Sequence, residues 1–356
     1  MKEENNLEEL MQFLPKNYEQ TCFETNTIKR SRVIKNPKEL MFFCLLYLSQ
    51  KYSLLELSLF AKLKGIKLSS VAFMKKLAKC CEWYKRIIRD MLSLIVFQYK
   101  KPKNLEKYKL VAVDASKVTQ KGKDKKVFCL HYMINICNLS TESCKITNEK
   151  TGESLTNFSI KAEYLIIADR GYGSKVSLNH CLNSGGNFII RLRNKAFNLY
   201  DSNGEKLSLE KELEGADEIT PVDFIAYFDN KDGSKTRIRI CGIKKPQDKI
   251  LGSEKRLMNK ERKHKKVYSE GTRFMNNYIV LSTSLAEDIP AIDILGAYRL
   301  RWQIEIYFKR LKSILDFGDI PNKKESHIIS WLNGKIVVSL LLERLHARVN
   351  FSPSVE

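Results

Sequence analysis

The sequence predicts an α/β protein, on three observations. Through the first hundred residues apolar positions recur every three to four residues and glycine is nearly absent, the pattern of helix. From Lys109 the period changes to short continuous apolar runs, which suit strands covered on both faces. After Pro290 the helical period returns. With 356 residues, 43% of them apolar, the chain can bury a substantial core in one large domain or several ordinary ones.

Residues 1–100 are the first, helical region. Asn36, followed by Pro37 and by Glu39, marks a helix start ahead of Leu40, Phe43, Leu46 and Tyr47, because a short polar side chain accepts from an unpaired N–H of the first turn. Ser53 with Glu56 repeats the pattern, and Lys64-Gly65 supplies the stop. A third helix opens at Ser69 or Ser70 and carries VAFMKKLAKC. The short GIKLS turn before it suits a helix-turn-helix that binds DNA ends, and equally a plain helical bundle. In the first case the residues from Ser70 on enter the groove, and Lys75, Lys76 and Lys79 take phosphates.

Past a basic linker at Lys100 to Lys109, KLVAVD ends in Asp114, VFCLHYMINIC follows, and EYLIIAD ends in Asp169. A helix from Ser174 to about Asn183 stops at Gly185-Gly186, and NFIIRLR makes a further strand. Residues 101–199 and 290–325 are therefore assigned to one α/β core. Residues 200–289 carry hairpin signals, DFIAYFD and KTRIRICGI around Asn-Lys-Asp-Gly, then NNYIVLSTSL, and are assigned to an inserted β-rich subdomain. Inside it KRLMNKERKHKK is a helix or a basic loop. Residues 326–356 form a C-terminal helical region.

Charge narrows the function. Lys plus Arg number 62 against 41 Asp plus Glu, a net +21, which calls for a polyanionic partner, nucleic acid first. No apolar run is long enough to span a membrane and the chain opens on the acidic MKEENNLEEL, so a cytoplasmic, nucleoid-associated protein is expected. Nine cysteines, none in a CxxC pair, read as free thiols, and five histidines without HxxxH spacing exclude an ordinary zinc site. Any metal should then sit on carboxylates.

Asp114 and Asp169 each close an apolar run; on parallel neighbouring strands they would lie side by side. On one helix, AYRLRWQIEIYFKRLKSIL, Arg301, Trp302, Glu305, Lys309 and Lys312 fall within about 60° of Tyr298. Ala297, Leu300, Ile304, Phe308, Leu311 and Leu315 face the other way. A carboxylate is thus set in a row of phosphate-binding side chains, with an indole able to stack on a base. Two aspartates and a glutamate make a hard-oxygen cage suited to two Mg²⁺ ions, with Mn²⁺ as a substitute, and to phosphodiester chemistry.

Asp114 in VAVDASK, Asp169 in IIADRGYG, and Tyr298, Arg301, Glu305 and Lys312 at tyrosine-arginine-glutamate-lysine spacing resemble the DDE transposases of bacterial insertion sequences, the group called IS-four. The resemblance covers roughly residues 108 to 345, with Ala115 where the family more often has Gly. It implies an RNase H-like mixed-sheet core, catalytic and metal-holding roles for Asp114, Asp169 and Glu305, and the insertion domain of this group between Asp169 and Glu305. It further implies Mg²⁺-dependent cleavage and strand transfer on double-stranded DNA, element ends and target, by a homodimer in a synaptic complex. Tyr298, Arg301 and Lys312 would grip DNA, with Arg170, Trp302 and Lys309 beside them. The competing readings are an RNase H-like nuclease and an inactive DNA-binding descendant of a transposase.

Overall fold

The computed structural model describes residues 2–29, 33–34, 36–49, 52–92, 103–120, 126–137, 140–193, 197–265, 267–302, 304–305, 308–309, 320–321 and 324–351. Lys312, Leu311, Leu315, Lys266 and the lysines between 121 and 125 lie outside them.

Six helices come first: α1 (Lys2–Met11), α2 (Tyr18–Glu24), α3 (Pro37–Leu48), α4 (Leu54–Leu63), α5 (Ser70–Lys79) and α6 (Cys81–Leu92). Their starts are where the short polar residues stand. The Asn36 side chain accepts from the Lys38 N–H at 2.8 Å, Ser53 and Glu56 form a reciprocal capping box, and Ser69 accepts from the Ala72 N–H. Between α4 and α5 the chain turns at Gly65, whose φ of +76° is open to glycine at little cost. On α5, Phe73 and Leu77 are buried, whereas Val71, Lys75 and Lys79 face solvent.

One eight-stranded mixed sheet follows. Its strands are β1 (Lys109–Thr119), β2 (Val127–Asn135), β3 (Ser140–Asn148), β4 (Tyr164–Ala168), β5 (Asn187–Arg191), β6 (Val222–Asp229), β7 (Lys235–Lys244) and β8 (Tyr278–Thr283), in the order β3-β2-β1-β4-β5-β8-β7-β6. Only β1, β4 and β5 run parallel to their neighbours in that series; the other pairings are antiparallel. Two antiparallel strands and a short 3₁₀ turn therefore fill the stretch between the two aspartates. The segment 200–289 adds its three strands to this same sheet and carries α8 (Leu209–Leu213), α9 (Gln247–His264) and α10 (Glu270–Asn276). The basic run from Lys255 is thus helical as far as His264.

Alternation along the strands builds a core on each face. Val111, Val113, Ile166, Ala168, Phe188 and Ile190 pack under α7 (Lys175–Asn183) and α10. Leu110, Ala112, Leu165, Ile167 and Ile189 join the other core, which continues without a break into the N-terminal helices, α11 (Ala291–Arg299) and α12 (Glu325–Phe351). In α12, Ile328, Trp331, Leu332, Ile336, Val337, Leu340 and Leu341 are buried. Each such side chain contributes about 1.5–3 kcal/mol of transfer free energy, more than helix propensity can, so packing rather than local preference holds α12. All nine cysteines are free. Among the described residues no helix is long and apolar enough to cross a membrane.

Candidate active site

Parallel register places the two aspartates. Val113 of β1 pairs with Ala168 of β4, so Asp114 and Asp169 are the next pair along. Both alternate onto the face that carries Ala112 and Ile167, the face covered by α11. Asp114 does not end its strand as the apolar run suggests. β1 continues to Thr119, because Ser116 to Thr119 keep pairing with β2. Asp169 does end β4 and heads the 3₁₀ turn Arg170–Tyr172.

The partly buried Asp114 carboxyl is pushed up to about 6, first by burial and then by Glu153 and Asp169; the Ala115 N–H, donating to Oδ1 at 2.8 Å, and Arg301 oppose the rise. Asp169 Oδ1 accepts from the Tyr298 hydroxyl at 3.4 Å. Tyr298 is buried on α11, and burial followed by the Asp169 charge pushes its hydroxyl up to about 12, so it stays a donor at neutral pH.

The single helix expected from Ala297 to Leu315 is interrupted. α11 ends at Arg299, and three-residue hydrogen bonds close the next turns: Leu300 N–H to Ala297 O, Arg301 N–H to Tyr298 O and Ile304 N–H to Arg301 O. This tighter winding eclipses residues three apart, which sets Tyr298 and Arg301 together, the guanidinium 5.8 Å from the ring centre. Trp302, Ile304, Glu305, Phe308 and Lys309 are helical again, with Ile304 and Phe308 buried and Trp302 and Lys309 exposed.

Glu305 is therefore linked to the aspartates through Arg301 and does not touch them. The Arg301 guanidinium donates to Glu305 Oε1 at 2.6 Å; the arginine side chain is 17% exposed and the glutamate 52%. Among the described residues no group of three or more His, Cys, Asp and Glu side chains stands close enough to hold a metal ion. Arg170 is half-buried one residue past Asp169, with Arg191, Asp169 and Tyr298 as its electrostatic neighbours.

A residue that no sequence pattern marks also reaches the site. Glu153 lies in the loop before β4, and burial together with Asp169 raises its carboxyl, with Lys117 opposing. Its Oε2 occupies the space where a Cβ on Gly171 would stand, 1.7 Å from that position. The glycine of the Arg-Gly-Tyr turn thus admits a carboxylate that any other residue would displace. The chemistry of this donor set fits a divalent cation. Asp114 and Asp169 are adjacent hard-oxygen donors, and the burial that raises Asp114 is what a bound cation would offset.

Residues 105–341 match the family model described as a transposase DDE domain. The chain is 26% identical over 338 residues to the putative transposase InsL for insertion sequence element IS186A of Escherichia coli (strain K12), covering 92% of this chain and 90% of that protein. It is 26% identical over 339 residues to the transposase for insertion sequence element IS421 of Escherichia coli, with the same coverage. A 100-residue stretch is 35% identical to the transposase for insertion sequence element IS231E of Bacillus thuringiensis subsp. finitimus, covering 25% of this chain and 20% of that one.

Proposed function

Because the chain belongs to the DDE transposases of bacterial insertion sequences, we propose that Asp114 and Asp169 are its catalytic pair, with Glu305 as the third carboxylate. It is an enzyme that cuts DNA strands and transfers them, and its family depends on a divalent metal. The observation that carries the assignment of the pair is the register Val113 to Ala168, which sets two carboxylates side by side under Tyr298.

Mg²⁺ is the ion that suits the donors; held by Asp114 and Asp169, it would stabilise charge on the attacking and leaving oxygens of a phosphodiester. Tyr298 holds Asp169 in place through its hydroxyl. Arg301 balances the charge of the aspartates until DNA arrives and is then available to a phosphate. Glu305, half-exposed, completes the site by releasing Arg301. Trp302 and Lys309 face solvent where a DNA strand can lie against them, and Lys312 has the family's spacing for the same task.

The strand order β3-β2-β1-β4-β5 supports an RNase H-like core, to which β8, β7 and β6 of the segment 200–289 are added. Two element ends must be cut and joined in one event, which a homodimer in a synaptic complex provides.

The test uses full-length protein and a duplex carrying the inverted repeat that flanks its coding region. Asp114→Asn, Asp169→Asn and Glu305→Gln should each abolish nicking in Mg²⁺, a barrier increase of several kcal/mol, while duplex affinity stays within about twofold of wild type. Normal nicking by any of the three would falsify that residue's role.

A further inference from the structure

One core position of the strands that segment 200–289 adds to the sheet holds an arginine. Along β7, Arg239, Cys241 and Ile243 alternate onto one face, and Ile238 and Ile240 onto the other. Cys241 and Ile243 belong to the core that contains Leu285, Ile289 and, from α11, Ile294 and Leu295, so an apolar side chain is expected at 239. Arg239 is instead 1% exposed. A guanidinium taken out of water needs its donors met. Its Nε and Nη2 donate to the two carboxylate oxygens of Asp223 on β6, and its Nη1 donates to Ala286 O and, at 2.8 Å, to Ile289 O.

Those two carbonyls lie in the link, residues 284–290, that runs from β8 to α11. α11 packs against β5 and β7, and it starts behind Pro290 with no side-chain cap. The chemistry that starts α4 and α5 is therefore missing here. Arg239 grips the backbone just ahead of the helix instead, and Asn104 donates to Asp293 of its first turn at the exposed surface. From Ile289 to Tyr298 is about 13 Å of helix, so a tilt of about 5° at its start moves Tyr298 by about 1 Å. The Tyr298 hydroxyl stands 3.4 Å from Asp169 Oδ1, which leaves no room for such a shift. A buried ion pair adds little stability over apolar side chains of similar volume. What this one adds is direction, a planar fork fixed to a carboxylate on one edge and to two carbonyls on another.

We infer that Arg239 is a positioning residue for strand cleavage: by holding the carbonyls of Ala286 and Ile289 it sets α11 at the angle that puts the Tyr298 hydroxyl on Asp169. It acts through α11 and touches no reacting atom. The inference rests on the catalytic reading of Asp169.

The test is a double-variant cycle on the full-length protein, read as the nicking rate at saturating element-end duplex in Mg²⁺. Tyr298→Phe alone should slow nicking about tenfold, the loss of one hydrogen bond. Arg239→Met, close in volume but without donors, should slow it at least as much, with circular dichroism at the assay temperature unchanged and duplex affinity within about twofold of wild type. Added to Arg239→Met, Tyr298→Phe should cost less than about twofold more, because the hydroxyl has already left Asp169. Arg239→Lys should restore part of the rate, since one ammonium cannot hold Asp223 and both carbonyls. If Arg239→Met does not fold, Arg239→Lys replaces it in the cycle, and a reduced Tyr298→Phe penalty is again expected. A full tenfold penalty in both backgrounds, or nicking by Arg239→Met at the wild-type rate, overturns the positioning role. Normal nicking by Asp169→Asn overturns the catalytic reading, whereas additive penalties with Asp169→Asn inactive overturn the role of Arg239 alone.

Discussion

Burial strips water from a carboxylate and disfavours its charge, and neighbouring carboxylates add repulsion. Asp114 shows the effect, its carboxyl raised to about 6 in the folded protein from an ordinary value of about 4. Between those limits the folded state binds more protons than the unfolded one, so stability falls as pH rises through the window and the penalty is complete above it. Metal-free Asp114→Asn should therefore melt higher than wild type above about pH 7, by at most about 3 kcal/mol, and match it below about pH 4. Mg²⁺ should narrow the gap by raising the wild type alone, and a gap of equal size at both pH values would refute the account. Arg301 makes a second test. Arg301→Ala should weaken binding to a pre-cleaved end more than to an uncut duplex, and Arg301→Lys should restore only part, because a lysine lacks the paired donors. Asp114 and Asp169 were readable because an acidic residue interrupting a buried run stands out. Glu153 was not. It sits in a loop where polar residues are ordinary, and only the fold brings it beside Gly171 and Asp169.

Elements were legible where their boundaries are written locally. Ser53, Ser69 and Ser174 cap α4, α5 and α7 through their own side chains, a short-range chemistry that needs nothing from the rest of the fold. The break at Leu300 was not legible, since the apolar spacing of Ala297, Ile304 and Phe308 survives it. Nor was the attachment of β8 to β5, a pairing across some ninety residues set by neither turn. At Gly334 of α12 the helices touch: a Cβ there would come within 2.7 and 2.8 Å of the two methyls of Leu48 and 3.1 Å of Tyr84 Cε2. Alanine is the better helix former by about 1 kcal/mol, yet Gly334→Ala should destabilise by about 1–3 kcal/mol through overpacking. Chemical denaturation of Gly334→Ala, Leu48→Ala and the double variant checks this. The double should lose less than the sum of the singles, and strict additivity would mean that α3 and α12 adjust freely.

Across the molecule, charge and core are organised differently. Positive charge is dispersed, with a concentration on α9, where Lys255, Arg256, Lys260, Arg262 and Lys263 are all exposed. Neutralising Lys255, Lys260, Arg262 and Lys263 together should flatten the plot of log affinity against log salt by about 0.9 for each phosphate that α9 no longer neutralises; an unchanged slope would leave α9 as plain solvated surface. The core, by contrast, is shared between the two ends of the chain. Ser330 Oγ donates to Leu77 O, the Arg344 guanidinium donates to the carbonyls of Phe13 and Met91, and Tyr47 meets His327 at 3.2 Å. Residues 1–100 alone would expose the apolar faces that α12 covers, so by circular dichroism that fragment should melt without a cooperative transition, and adding a peptide of residues 325–351 should restore one. The same packing sets an order on synthesis. At about 5–20 residues per second, the first helices wait in the cell for tens of seconds, their apolar faces open to chaperones, until α12 leaves the ribosome. A transcript cut short before α12 then yields a polypeptide that proteases can clear, however much of the candidate site it already contains.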